Sequence, residues 1–239
     1  MDVSAVLFDM DGILVDTSEA VAELWIGLAV EFGVVLGSAE LAAHVYGCAP
    51  EHTVETVFAS LGPQDRAHVL ERVREAEPDL GCVPIPHAPA LVRELAAAGV
   101  PLALVTGGSR ARADRSLREL DLTGCFAATV TWGEAARGKP APDCYLLAAR
   151  RLGVDPTACL VFEDTAGGVR AAVAAGATCV GVNPLERAAL LAHGASQSVH
   201  GFAEVRFTGL PRPSLFVGSR KTYRYALASS PTSASASFS

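Results

Sequence analysis

Short, unbroken apolar runs alternate with segments of helical spacing along most of the chain. The strand-length runs are 3–10, 102–106, 127–131, 159–163 and 178–182, and helical spacing occupies 89–98, 109–120, 142–152, 166–175 and 185–192. Runs that are apolar at consecutive positions predict strands buried on both faces. Their regular alternation with helices predicts a parallel sheet with helices on both sides. Gly99, Gly153 and Gly176 each follow a helical segment, where a left-handed cap residue belongs. The pattern is that of a doubly wound α/β core.

One stretch breaks the rhythm. Residues 17–83 show only helical spacing, as in Ala20-Val21-Leu24-Leu28 and Val69-Leu70-Val73, and they are too many for a crossover or a loop. A small helical cap inserted after the first strand accounts for them, and it is expected to sit over the carboxyl end of the sheet. This divides the chain into a core of residues 1–16 and 84–205, an inserted cap at 17–83, and a C-terminal extension at 206–239. Two prolines stiffen the returning link, Val83-Pro84-Ile85-Pro86-His87. Residues 206–225 give an ambiguous pattern. Residues 228–239 are almost all Ser, Ala, Thr and Pro, with too little apolar surface to offset ordering entropy, and are expected to be disordered.

Composition narrows the function. Half of the 239 residues are hydrophobic and 19% are charged, which supplies a core and excludes disorder over most of the length. A net charge of -7 argues against a nucleic-acid partner, which calls for cations to replace phosphate counterions. A small anionic substrate stays possible, because a few placed cations and a metal suffice for one. The longest apolar stretch, Val21 to Gly37, is interrupted by Glu23 and Glu31, so no membrane span is expected; nor is a signal sequence, and the cytoplasm is the default compartment. The six cysteines contain no CxxC pair and read as small buried apolar residues; the six histidines lack metal spacing and read as structural. Oligomeric state stays open, with a monomer favoured.

Two acidic pairs stand at strand ends. In Phe8-Asp9-Met10-Asp11-Gly12 an apolar strand runs into two aspartates and a glycine. An Asx turn explains such a sequence, yet two carboxylates about 4 Å apart repel by roughly 4 kcal/mol at an effective dielectric near 20, which calls for a metal or a proton. In Phe162-Glu163-Asp164-Thr165 a helix cap explains one polar residue and leaves the other carboxylate unexplained. Ligands bind at the carboxyl ends of parallel strands, so both pairs are expected to share one crevice, and hard oxygen donors suit Mg²⁺. Thr106 ends another strand before Gly107-Gly108-Ser109, which makes either an anion site or an ordinary N-cap. Lys139 lies in a proline-rich loop and by itself reads as a solvated surface lysine. Together, carboxylates, metal, hydroxyl and cation suit phosphoryl transfer.

With these residues in place, the chain resembles the haloacid dehalogenase superfamily, in the branch with a helical cap after the first strand. That branch holds β-phosphoglucomutase and many sugar-phosphate phosphatases. Asp9-Met10-Asp11-Gly12-Ile13-Leu14-Val15-Asp16 matches the first motif, Thr106 the second, Lys139 in Gly-Lys-Pro-Ala-Pro-Asp the third, and Glu163-Asp164 the fourth. Ile13 stands where threonine is commoner and Gly107 where serine is frequent. The resemblance implies a Rossmann-like core with Asp9 as nucleophile and Asp11 as general acid and base. It implies Mg²⁺ held by Asp9, Asp164 and the backbone carbonyl of Asp11, with Glu163 in or beside that shell. Thr106, Gly107 and Lys139 would bind the phosphoryl group.

Three activities follow from these residues: a phosphatase acting on a small phosphorylated metabolite, sugar or polyol; a hexose-phosphate mutase; and a non-catalytic binding module. The third expects a lost machinery residue, and none is lost. Against the mutase, the loop Tyr46-Gly47-Cys48-Ala49-Pro50-Glu51-His52 carries no Lys or Arg to hold a second phosphate. Arg66, Arg72 and Arg74 read as solvated, while Arg110 and Arg112 remain within reach.

Overall fold

A computed structural model describes residues 2–209, 213–218 and 221–225, the side chain of Lys221 excepted. Residues 226–239, and with them the expectation of a disordered tail, lie outside the described residues.

The strands are β1 (Asp2–Val3), β2 (Ala5–Phe8), β3 (Val15–Asp16), β4 (Val83–Pro84), β5 (Leu102–Val105), β6 (Ala128–Val130), β7 (Cys159–Glu163), β8 (Thr178–Val182), β9 (Gln197–Val199), β10 (Val205–Thr208), β11 (Ser214–Val217) and β12 (Lys221–Tyr225). The helices are α1 (Ser18–Glu31), α2 (Ser38–Glu40), α3 (Pro50–Thr56), α4 (Pro63–Ala76), α5 (Ala88–Ala97), α6 (Arg110–Glu119), α7 (Asp143–Leu152), α8 (Ala166–Ala174) and α9 (Arg187–Ala192). A π-helical turn at Leu41–Val45 extends α2, and a 3-10 turn at Glu77–Asp79 extends α4.

Six parallel strands form the main sheet in the order β6-β5-β2-β7-β8-β9. Alternation along each strand splits the core in two. Val6, Phe8, Leu102, Leu104, Leu160 and Phe162 face one side, while Ala5, Leu7, Ala103, Val105, Cys159 and Val161 face the other. The small residues of the second set let α7, α8 and α9 approach closely, through Tyr145, Ala148, Ala172 and Leu190. The first set carries the large side chains, and Phe8 stacks on Phe162 at 5.2 Å between ring centroids.

That first side is covered by α5 and by something the sequence reading missed. β10, β11 and β12 form an antiparallel meander whose last strand pairs in parallel with β1. Its inward positions Val205, Leu215, Val217 and Tyr223 are buried against the sheet. The ambiguous residues 206–225 thus hold three strands, with only Gly209, Pro213 and Gly218 of the described residues outside them. Alternate apolar positions in Val205-Arg206-Phe207 and Leu215-Phe216-Val217 carried that signal, diluted by Phe216 on the outer face. β9 was missed too, because only three residues of it pair. Gly99, Gly153 and Gly176 do adopt left-handed φ, at 75°, 68° and 87°.

Between Ser18 and Asp79 the only regular elements are helices, and this stretch has an apolar cluster of its own, in which Trp25, Leu28, Val45, Phe58 and Val69 are buried. The chain leaves the sheet through β3 and returns through β4, and these two strands pair antiparallel. Cys48, Cys144, Cys159 and Cys179 are buried as expected, whereas Cys82 and Cys125 are only partly so. Among the described residues no helix is long and apolar enough to cross a membrane.

Candidate active site

Every predicted site residue lies at a carboxyl end of the parallel sheet. Asp9 follows β2, Thr106 follows β5, Glu163 ends β7 with Asp164 next, and Lys139 reaches in from the loop after β6. The strand register brings them together: Phe8 pairs with Leu104 on one side and Phe162 on the other. Asp9 then donates its amide to the Phe162 carbonyl at 3.1 Å.

Lys139 is the hub. Its Nζ donates to Asp9 Oδ1 at 2.7 Å, to Glu163 Oε1 at 2.7 Å and to the Val105 carbonyl at 3.2 Å. It is only 3% exposed, so the surface-lysine reading fails: the rigid loop aims the side chain inward. Glu163 is fully buried and its Oε1 also accepts from Tyr145 Oη at 2.6 Å. Its Oε2 accepts from the Asp164 amide at 3.2 Å. Glu163 therefore anchors Lys139. Thr165 is the residue that caps α8, accepting from the Gly168 amide, which leaves Asp164 free of that duty.

Burial drives the electrostatics. Desolvation pushes the Asp9 carboxyl up to about 7, against the Lys139 charge and with repulsion from Glu163 and Asp11. Asp164 is raised well above the usual carboxylate range by burial and by its acidic neighbours. Burial would raise Asp11 as well, but the Arg112 guanidinium outweighs it and holds that carboxyl below its ordinary value. Burial lowers and the paired carboxylates raise Lys139, with the carboxylates prevailing.

A divalent cation fits here. One oxygen from each of Asp9, Glu163 and Asp164 lies within 4.8 Å of the others. Asp9 Oδ2 and Asp164 Oδ1 are buried with no hydrogen-bond partner, which a bound cation or water explains. Gly12 makes the approach possible. Its φ is +72°, and a Cβ there would collide with the Asp164 carboxylate. The turn bearing Asp11 therefore closes directly over Asp164.

Three contributors were not anticipated. Tyr145 secures Glu163 from the buried face of α7. Trp132, in the loop after β6, donates from Nε1 to both oxygens of Glu51 on α3 at 2.8 Å, with Arg74 of α4 over its ring. Arg112 pairs with Asp11, Nη1 to Oδ1 at 2.6 Å and Nη2 to Oδ2 at 2.8 Å, although its position suggested reach toward a second phosphate. No sequence signal singled it out, since its burial and its partner 101 residues away appear only in the fold. The repulsion expected between Asp9 and Asp11 is thus met by a separate cation for each.

Thr106 Oγ1 accepts from the Gly108 amide at 2.9 Å and lies 3.5 Å from Asp11 Oδ2, while Ser109 is the actual cap of α6. A cavity of about 310 Å³ opens over Asp9, Asp11 and Asp164, floored by the sheet ends and roofed by Trp25, Val45 and Tyr46 from residues 18–79. Arg112 is the only Lys or Arg among the described residues lining it. A second cavity of about 620 Å³ flanks Thr106 and Lys139 from the other side, and Gly107 borders both.

Comparison with known proteins shows the family to which the chain is similar. The family model described as haloacid dehalogenase-like hydrolase matches residues 3–176. Hexitol phosphatase A of Escherichia coli (strain K12) is 38% identical over 181 residues, covering 74% of this chain and 82% of its own. Fructose-1-phosphate phosphatase YqaB of the same organism is 32% identical over 185 residues, covering 76% and 97%. Among solved structures, a Bacteroides vulgatus protein provisionally named as a β-phosphoglucomutase superposes with a TM-score of 0.75 at 30% identity, covering 84% of each chain.

Proposed function

Since the chain belongs to the haloacid dehalogenase-like hydrolases, we propose that it is a Mg²⁺-dependent phosphatase that hydrolyses a small phosphorylated metabolite, a sugar or polyol phosphate, through a covalent phosphoryl group on Asp9. One observation carries the reading. Asp9 is buried, one of its oxygens is fixed by Lys139, and the other has no partner in the protein. A carboxylate so held is a placed nucleophile.

The chemistry runs in two displacements. In the first, Asp9 attacks phosphorus, the bond to the leaving alkoxide breaks, and Asp11, ionised at rest beside Arg112 and protonated as the substrate binds, gives that oxygen its proton. In the second, Asp11 takes a proton from water as the water oxygen displaces the phosphoryl group, which frees Asp9 and inorganic phosphate. Lys139 and the Thr106 hydroxyl face the phosphoryl oxygens, where charge spreads during transfer. Asp9, Asp164 and the Asp11 carbonyl would hold Mg²⁺, with Glu163 beside them. When bound, the ion neutralises the approach of a carboxylate to a phosphate dianion. Residues 17–83, read as a cap, exclude water from the first displacement.

Hydrolysis is favoured over mutase chemistry by the cavity's cations. A mutase holds a second phosphate while the first reacts. Arg112, the single lining cation, is already committed to Asp11, and Arg110 faces Asp114 and Glu134 instead. Arg72 pairs with Glu31 on the outside of the helices. Given β-glucose 1-phosphate, Mg²⁺ and catalytic bisphosphate, the protein should release inorganic phosphate faster than glucose 6-phosphate accumulates, as followed by phosphorus NMR. The opposite order would make it a mutase. A wider panel of sugar, polyol and nucleotide monophosphates, with and without Mg²⁺, tests the substrate class.

The Asp164 assignment has its own test. Asp164→Ala removes a carboxylate whose buried oxygen has no partner. Mg²⁺ affinity, measured by calorimetry, is expected to fall by about 10- to 100-fold or more, on the scale seen when even the outer partners of a metal site are lost. Excess Mg²⁺ should restore part of the turnover. Unchanged affinity would remove Asp164 from the ligand set.

A further inference from the structure

The strongest unexplained cluster is a buried set of charges beside the site. Arg112, in the first turn of α6, is 4% exposed, and Glu77, in the 3-10 turn after α4, is 5% exposed. Arg112 grips both oxygens of Asp11 and turns its Nε to Glu77 Oε1. Glu77 Oε1 also accepts the Ser109 amide at 3.0 Å, which ties it to the cap of the helix that carries Arg112. A Cβ on Gly108 would overlap both Arg112 and Glu77, so the glycine is what admits them. On its other flank Asp11 Oδ1 accepts from Thr17 Oγ1 at 2.7 Å.

Buried ion pairs seldom earn their place through stability, because desolvation offsets much of the attraction. This cluster is better explained by what it aligns. Thr17 is the residue at which the chain enters the helical insertion, and Glu77 stands where it leaves. Asp11 is therefore held from both ends of the insertion, directly by Thr17 and through Arg112 by Glu77. One guanidinium charge faces two carboxylates, so the cluster as a whole has no net positive charge to offer a substrate anion.

We propose that Arg112 is a positioning residue for Asp11, set in place by Glu77, so that the Asp11 carboxylate is aligned to take the proton of the attacking water only while the helical insertion is seated on the sheet. This rests on the phosphatase reading above. Misplacing a reacting group by about 1 Å can cost about a hundredfold in rate, and a loss of that order in kcat is expected for Arg112→Ala on an alkyl monophosphate, with KM nearly unchanged. Arg112→Lys keeps the charge without the fork and should stay low. Millimolar guanidinium should return much of the turnover to Arg112→Ala and none to Asp11→Ala. Glu77→Gln should lower kcat as well, and should add little when combined with Arg112→Ala, because both act through the same carboxylate. Thermal melts confirm that each variant is folded, and Arg112→Lys serves if Arg112→Ala is not. A rise in KM with kcat preserved would make Arg112 a substrate ligand and overturn the proposal; independent, additive losses would overturn the role of Glu77. Wild-type protein that releases phosphate from no ester would overturn the phosphatase reading instead.

Discussion

Asp9→Asn should abolish turnover while leaving the fold intact. The substitution keeps the shape of the side chain and an oxygen for Lys139 Nζ to meet, but removes the negative charge that attacks phosphorus. Loss of a catalytic nucleophile in other enzymes lowers kcat by roughly 10⁴- to 10⁶-fold, and the same range is expected here for phosphate release. Mass spectrometry should find a phosphoryl group on Asp9 in trapped wild-type protein and none in the variant. Stability should not suffer, because burial already disfavours the Asp9 charge. In the absence of divalent cation the sign can be checked directly. Asp9 rises from 3.8 to about 7 on folding, so the wild-type fold should weaken as pH climbs through that interval, as its carboxylate is forced to ionise. Asp9→Asn should lack this component. Near-normal turnover in the variant would exclude the covalent route.

Lys139→Met is the complementary case, with stability and activity failing together. Removing the ammonium leaves Asp9 and Glu163 buried, with the cation that joins them gone. Breaking a buried pair from one side costs about 3–5 kcal/mol, or roughly 6–20 °C in melting temperature for a chain of this size. Calorimetry without Mg²⁺ reads this directly. Glu163→Gln placed on the same background should recover part of the loss, since the orphaned charge is then gone. An unchanged melting temperature in Lys139→Met would mean that solvent reaches the site and that the buried pair is not what holds it.

How much of this was legible in the chain varies with the physics. The strands from Leu102 to Val182 were readable because strands buried on both faces leave unbroken apolar runs, and Cys159–Glu163 and Thr178–Val182 agree to the residue. The acidic pairs were readable because each ends such a run. Lys139 was misread when taken alone, for nothing in a Gly-Lys-Pro loop says which way the side chain turns; its burial depends on β6, α7 and β7 converging. Arg112 and Glu77 lie 35 residues apart, and Arg112 and Asp11 101 apart, so their pairing exists only in three dimensions. The meander Val205–Tyr225 was missed because its strands are short and one carries an apolar residue outward.

The strand order also dictates a schedule of synthesis. β2, which leads into Asp9, lies between β5 and β7, and neither neighbour is near it in the chain. At about 5–20 residues per second, Cys159–Glu163 follows Ala5–Phe8 from the ribosome after roughly 8–30 s. During that interval the helices from Ser18 to Ala76 can form from local contacts, whereas β2, whose side chains are all apolar, carries two edges of unpaired backbone N–H and C=O groups. The nascent chain is therefore most prone to aggregate after β2 emerges and before β7 arrives to flank it.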